Sequence, residues 1–301
     1  MSTLEQSSSR SSLATRSTQV ARRKRLSEIM RWLFLAATCT GILALGTLLW
    51  TIIDRGAPWL SWHLFTNMAS RRPEIAGLNA AILGTLWVIS LTALIAFPIG
   101  VGAAIFLEEY APRNRWVTML QVNISNLAGI PSVVYGLLGL GVFVQFMGMG
   151  RVLLAGALTM ALLSLPVIII ASQEAIRAVP LSLRQAAYGV GATRWQVTRY
   201  HVLPSAIPTI LTGTILAVSR AIGETAPVLV VGASAYIATR PSGFFDGYTV
   251  LPMQIYGWTQ RSQDEFKNGL APAGIIVLLG VLLLLNSTAI ILRQRFSSRN
   301  Q

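Results

Sequence analysis

Apolar residues recur along this chain in runs of about membrane length, separated by shorter polar, Gly-rich or Pro-rich connections. A helix of about 20 apolar residues crosses the hydrocarbon core of a bilayer. The pattern predicts six α-helical spans, near 32–53, 79–107, 118–147, 152–171, 206–234 and 272–292. The connections are then 54–78, 108–117, a tight turn at Met147 to Gly150, 172–205 and 235–271. Pro98, Pro131 and Pro227 fall inside the second, third and fifth runs and predict interruptions there. Membranes tolerate such breaks where neighbouring helices re-satisfy the freed backbone groups. No repeat of solenoid length stands out along the chain.

A Ser-rich stretch followed by Arg22-Arg23-Lys24-Arg25 precedes the first run. That run is too long for a signal-peptide core, and no small-x-small cleavage site follows it. The reading is an uncleaved first span behind a disordered cytoplasmic tail. The chain divides into a tail (1–31), a first span with its external loop (32–78), a core (79–293) containing the 172–205 loop, and a second tail (294–301).

Composition narrows the class. Of 301 residues, 53% are hydrophobic and 12% charged, with a mean hydropathy of +0.59. This excludes a water-soluble domain. The formal charge of +13 raises the question of nucleic acid. The charges sit at the ends of the apolar runs, however, so topology accounts for them and no nucleic-acid partner is expected. With the N-terminus inside, 16 of the 24 Lys and Arg lie in cytoplasmic segments, Arg299 among them. Seven lie outside, and Arg220 alone lies within the membrane. That bias places both termini in the cytoplasm of a multi-pass membrane protein surrounded by lipid. Cys39 is the only cysteine, so the chain has no internal disulfide, and the thiol reads as structural.

The fifth run carries the most informative residues: Ser219-Arg220-Ala221-Ile222-Gly223-Glu224-Thr225-Ala226-Pro227. A charged side chain at the bilayer centre costs about 2.5–3.5 kcal/mol on insertion scales, so such groups pair, and they often mark a pathway. Arg220 and Glu224, four apart, share one face of a helix. The guanidinium offers a planar fork suited to oxyanions and keeps its charge. A static ion pair that fixes helix packing is the alternative. Thr225 adds a hydroxyl that serves either a ligand or helix packing.

The 172–205 loop reads as two short helices. Pro180 starts the first, Leu181 to Tyr188 are good helix formers, and Gly189 and Gly191 end it. Thr193 and Gln196 fit a capping box that starts the second, which is expected to stop at Val202-Leu203-Pro204. Ala186 and Ala187 present a small face that another surface can approach closely. On the residues alone, the hairpin either docks a partner or lies on the membrane surface.

Gln185-Ala186-Ala187-Tyr188-Gly189-Val190-Gly191, followed after ten residues by Val202-Leu203-Pro204, resembles the EAA motif of ABC importer permeases. Gln185 stands where the motif has an acid; it keeps hydrogen-bonding capacity but not charge. Arg220 to Pro227 is similar to the Arg-Ala-x-Gly-Glu-Thr-Ala-Pro stretch of phosphate ABC transporter permeases of the PstA type. The resemblance spans roughly residues 75 to 295. It implies an all-α membrane protein with the six-helix bundle of type I (MetI-like) ABC importer permeases. It also implies that Gln185, Ala186, Ala187, Gly191, Leu203 and Pro204 belong to a loop that couples to an ATPase. Arg220, Glu224 and Thr225 would line the path of inorganic phosphate. The implied partners are a second permease subunit of the PstC type, two ATP-binding subunits and an extracytoplasmic phosphate-binding protein.

Other residues weigh less. His63 and His201 are the only histidines and fall on opposite sides, so no metal site or cofactor is expected. Glu108-Glu109 and Glu174 read as solvated carboxylates at helix ends. The aromatic 235–271 loop reads as an interfacial belt with a short amphipathic helix, or as a surface for an external partner. No phosphate-binding Gly-x-x-x-x-Gly-Lys-Ser/Thr loop is present, so the chain should not hydrolyse ATP itself; the resemblance implies a transport subunit and not an enzyme. Rival readings are a permease for sulfate or molybdate, a membrane-embedded enzyme acting on an anionic lipid, and a scaffold without transport.

Overall fold

The computed structural model describes residues 2–234, 236, 237 and 239–297. Arg299 and the rest of 298–301 lie outside the described residues. Two compact units follow one another, Met1–Asp54 and Arg55–Gln301.

The first unit is formed by α1 (Ser2–Gly56). Trp32, Phe34, Leu43 and Trp50 are exposed along it, as is the free Cys39. An apolar surface of this kind suits lipid. The helix also runs back through the stretch that the sequence reads as a disordered tail. Leu, Ala, Gln and Arg are good helix formers, and extending an established helix adds one hydrogen bond per residue.

The second unit holds the other spans. α3 (Asn79–Ile105) continues through a π-helical turn, Phe106–Tyr110. It follows the short α2 (Trp62–Thr66). Pro98 lies inside α3 without breaking it, so the interruption expected there is absent. One lost backbone bond, to Leu94, is all its ring removes.

Pro131 acts differently. α4 (Arg115–Ala128) and α5 (Ser132–Gly139, continued by π-helical Leu140–Phe146) meet at 103°. The expected third span, 118–147, is therefore two pieces. At 1.5 Å per residue the 14 residues of α4 extend about 21 Å, short of the roughly 30 Å hydrocarbon core. Five helices among the described residues are long and apolar enough to cross a membrane, six if this bent pair forms one span.

α6 (Leu153–Arg177) follows the turn in which Gly148 and Gly150 have φ of +64° and +77°, values that favour glycine. α7 (Leu181–Gly189) ends before Gly191, at φ +83°. α8 (Arg194–Val197), a π-helical turn (Thr198–Val202) and α9 (Leu203–Gly223) form one continuous rod. The stop expected at Pro204 does not occur. Pro204 falls at the start of the regular helix, directly after the i→i+5 register of the π turn, where a missing N–H is absorbed. α10 (Ala226–Val231), α11 (Leu251–Thr259) and α12 (Ala271–Ser297) complete the chain.

Four apolar clusters succeed one another along α3, at Ala81, Val88 with Ile89, Ala96, and Ala104. The 235–271 loop enters this core. Tyr248 and Trp258 are each 1% exposed, which overturns the interfacial belt for those two aromatics; Phe244 and Phe245 remain exposed. Two glycines admit the loop. A Cβ on Gly84 would stand 2.0 Å from the Thr249 carbonyl oxygen, and one on Gly156 2.1 Å from the Tyr248 hydroxyl. The loop also caps α6: Leu153 and Leu154 N–H donate to the carbonyls of Asp246 and Phe244, each at 2.9 Å.

Candidate functional site

The site forms where two spans break. α9 ends at Gly223, four residues before Pro227, because the proline has no N–H for the Gly223 carbonyl and its ring clashes there. Glu224 leaves the helix in extended conformation (φ −76°, ψ 118°), and Thr225 starts α10 without a side-chain capping bond. The interruption expected at Pro227 is thus present. The geometry of the pair differs from the expectation, since Glu224 stands just past the helix end rather than on its face. Arg220 Nε still reaches Glu224 Oε1 at 3.5 Å.

The second break faces the first. α5 packs on α10 at Gly136, where a Cβ would lie 2.9 Å from both Pro227 Cα and Val230 Cβ. Tyr135, one residue earlier, donates its hydroxyl to the Leu127 carbonyl, the group that would have bonded the N–H Pro131 lacks. A narrow cleft, open at its mouth, lies between Leu127–Ile130 at one break and Arg220–Glu224 at the other. Ser164 and Val167 of α6 line it. Irregular backbone at membrane depth is tolerated where it is buried or lines a cavity, and broken helices of this kind build the sites of many transporters.

Arg220 is held from behind. Ser219 donates its hydroxyl to Ile215 O at 2.6 Å and also pairs with Asn286 on α12. The Arg220 side chain is 69% exposed and that of Glu224 21%. Among the described residues, Glu224 is the one polar partner shown for the guanidinium, with its nearest approach at Nε. With most of its side chain exposed, the guanidinium is open to a further ligand. A fork with two free N–H-bearing ends can take two oxygens of a phosphate or carboxylate at once.

The 172–205 hairpin lies at the start of α9, away from Arg220. The capping box is present: Gln196 N–H donates to Thr193 Oγ1 at 3.4 Å and Thr193 N–H to Gln196 Oε1 at 2.8 Å. Gln185, Ala186 and Gly191 are exposed, while Leu203 and Pro204 are half-buried. Ala187 is buried against Ala175, Val197 and Val202, so the exposed small face consists of Ala186 without Ala187.

The carboxylates at the foot of α3 also depart from the sequence reading. Glu108 accepts from Arg177 Nε and Nη2 at 2.9 and 2.5 Å and from Gln173 at 2.9 Å. Glu109 accepts from Arg184 at 2.6 Å and its side chain is 6% exposed. They are paired, not solvated, because the π turn carries both off the end of α3 and over α6 and α7. Glu174 is exposed as expected. Sequence reading also missed Tyr135 and Ser164 at the cleft. A tyrosine one turn beyond a mid-span proline was the available signal for the first.

The family described as binding-protein-dependent transport system inner membrane component matches residues 96–300. The chain is 31% identical over 249 residues to the probable ABC transporter permease protein YqgI of Bacillus subtilis, covering 79% of this chain and 85% of that one. It is 32% identical over 281 residues to the phosphate transport system permease protein PstA 1 of Mycobacterium tuberculosis, covering 90% of each. In fold it is similar to a chain of a bacterial alginate ABC transporter in complex with an alginate pentasaccharide-bound periplasmic protein, at 17% identity. The TM-score is 0.64, over 88% of this chain and 95% of that one. The match over residues 96–300 takes in both broken spans and the hairpin, and on it the chain belongs to the binding-protein-dependent transport system inner membrane component family of ABC importer permeases.

Proposed function

We propose that this chain is a permease subunit of an ATP-driven phosphate importer, and that Arg220 binds phosphate in transit. The observation that carries the reading is the largely exposed guanidinium of Arg220 at a cleft between two broken spans. Near full-length similarity to a phosphate transport permease supports the substrate.

In this reading phosphate oxygens engage the terminal nitrogens of Arg220, and Thr225 lies beside them. Glu224 competes for the guanidinium and holds it when no anion is bound, so the anion is released rather than trapped. A second permease subunit of the PstC type covers the exposed side of Arg220 and completes the path. Two ATP-binding subunits dock on the 172–205 hairpin through Gln185, Ala186 and the turn at Gly191. An extracytoplasmic binding protein delivers phosphate to the opposite end, and both termini lie in the cytoplasm. ATP-driven closure of the ATPases moves the hairpins and rocks the two subunits between outward and inward states.

The test is uptake of labelled phosphate by cells lacking the native chain and complemented with wild type or Arg220→Gln, at matched membrane abundance. Restoration by wild type, no competition from excess sulfate, and loss of uptake in the variant are expected. A variant that transports like wild type removes Arg220 from the path. A second reading, another oxyanion such as sulfate or molybdate, rests on the same fork, which suits any of them. Competition by those anions decides between the two.

A further inference from the structure

We propose that Glu109 is a positioning residue that makes α3 move together with the coupling hairpin, through its buried ion pair with Arg184. This rests on the reading of that hairpin as the ATPase dock.

Arg184 directly precedes Gln185-Ala186-Ala187 on α7. Its guanidinium ties three elements together. Nη1 donates to Glu109 at the foot of α3 at 2.6 Å, and Nη2 donates to the Ile176 carbonyl in the last turn of α6 at 2.7 Å. The pair is enclosed, with side chains 19% and 6% exposed. The adjacent Glu108 repeats the arrangement by gripping Arg177 and Gln173 of α6.

α7 has few other holds on the bundle. Ala187 is its one buried residue, and Leu183 packs beside the same cluster. Leu181, Tyr188 and Val190 are exposed at 70%, 46% and 86%. A push on that exposed side is resisted by the apolar contacts of Ala187 and Leu183 and by the Arg184 clamp. The clamp is the stiffer of the two, because a charge pair in low dielectric with two directed hydrogen bonds tolerates little displacement.

Stability alone does not account for the pair. Buried ion pairs often add little net stability compared with apolar residues of the same volume, and in this proposal the pair fixes position. The backbone points the same way. Glu109 sits in the π-helical turn Phe106–Tyr110, and a second π turn, Thr198–Val202, begins immediately after α8. Such turns are single-residue register adjustments and recur at functional sites. The hairpin is therefore attached to α3 and α9 through two segments that can take up a change of register. The ion pair sets which register α3 follows.

The test uses the whole importer in proteoliposomes, wild type against Glu109→Gln, with anion uptake and ATP hydrolysis measured on the same preparation. The readout is anions carried per ATP hydrolysed, for whichever oxyanion the wild type takes. Glu109→Gln is expected to keep the ATPase in the purified complex and to hydrolyse ATP within about twofold of wild type, while anions carried per ATP fall about tenfold. Arg184→Lys, which keeps the charge but not the fork, is expected to fall between the two. If uptake and hydrolysis decline in proportion, or the ratio is unchanged, the linkage is overturned and the pair only packs the hairpin. Wild type that carries sulfate and not phosphate overturns the substrate reading, and the ratio still decides the linkage. Wild type that retains no ATPase overturns both.

Discussion

The hydroxyl of Tyr135 donates to the carbonyl of Leu127 at 2.9 Å, across the break that Pro131 makes in the third span. The proline removes the backbone donor that a continuous helix would have supplied, and a side chain from the next turn replaces it. Tyr135→Phe should cost about 1 kcal/mol, since Ile130 N–H also reaches this carbonyl and keeps it from being orphaned. In a thermal unfolding assay in detergent that is a fall of roughly 2–4 °C for a chain of this size. An unchanged midpoint would mean that water replaces the hydroxyl at the break.

Glu224→Gln separates binding from release. Without the carboxylate the guanidinium is free for the anion, so the KM for uptake should fall severalfold while maximal velocity also falls, the pattern of tighter ground-state binding. Concentration-dependent uptake measures both. A raised KM at unchanged maximal velocity would make Glu224 a contact for the anion's far side.

Gly156 and Tyr248 form a lock between α6 and the 235–271 loop. A methyl at 156 meets the tyrosine hydroxyl, so Gly156→Ala should destabilise by about 1–3 kcal/mol. The Tyr248 hydroxyl is buried with no hydrogen-bond partner among the described residues, so Tyr248→Phe should be neutral or stabilising by about 1 kcal/mol. In the double variant the ring carbon Cζ still stands 2.4 Å from the added Cβ, so the phenylalanine should recover little of the alanine cost. Recovery of most of that cost in the cycle would show that the ring can shift once its hydroxyl is gone.

Thr193→Ala removes the capping box at the start of α8. The expected loss is about 1 kcal/mol, confined to the hairpin. Hydrogen exchange should quicken at Gln196 and its neighbours and stay unchanged in α3. Exchange that quickens equally throughout would place the hairpin inside the global folding unit.

Asp246 gives the 235–271 loop a defined acid sensitivity. The Ser242 hydroxyl and the N–H groups of Ser242 and Gly243 hold its carboxyl below the ordinary carboxylate range. A lowered value means that the stabilisation is complete above the ordinary value, about pH 3.9, and is lost as pH falls through the lowered one. This group should therefore contribute no pH dependence from pH 5 to 8. Asp246→Asn at neutral pH should reproduce the acid state, with faster exchange at the Leu153 and Leu154 amides that the loop caps. Equal protection in the variant would show that the two carbonyls hold α6 without the turn.

The spans, the breaks at Pro131 and Pro227, the glycine turns and the Thr193–Gln196 cap were legible in the sequence, because each rests on local chemistry. Apolar length gives a span, a missing N–H gives a break, and a Thr three residues before a Gln gives a cap. What could not be read depends on partners far along the chain. Glu108 and Glu109 look solvated until Arg177 and Arg184 are placed above them. Tyr248 and Trp258 look interfacial until Gly84 and Gly156 are seen to admit the loop. The rod through Pro204 needed the π turn, which leaves no mark in the hydrophobic period. For the site, the sequence supplied Arg220, Glu224 and the proline that parts them, but the facing break and Tyr135 emerge only when α5 lies on α10.

The entry of the 235–271 loop into the core also sets a timetable for biosynthesis. Thr249 closes on Gly84 and Tyr248 on Gly156, so α3 and α6 reach the membrane long before the segment that packs on them. At ribosomal speeds of about 5–20 residues per second, residue 156 precedes residue 248 by roughly 5–20 s. During that interval the surface at the two glycines has no loop to cover it. The insertion machinery or lipid must occupy it, and the last third of the chain evicts that tenant on arrival.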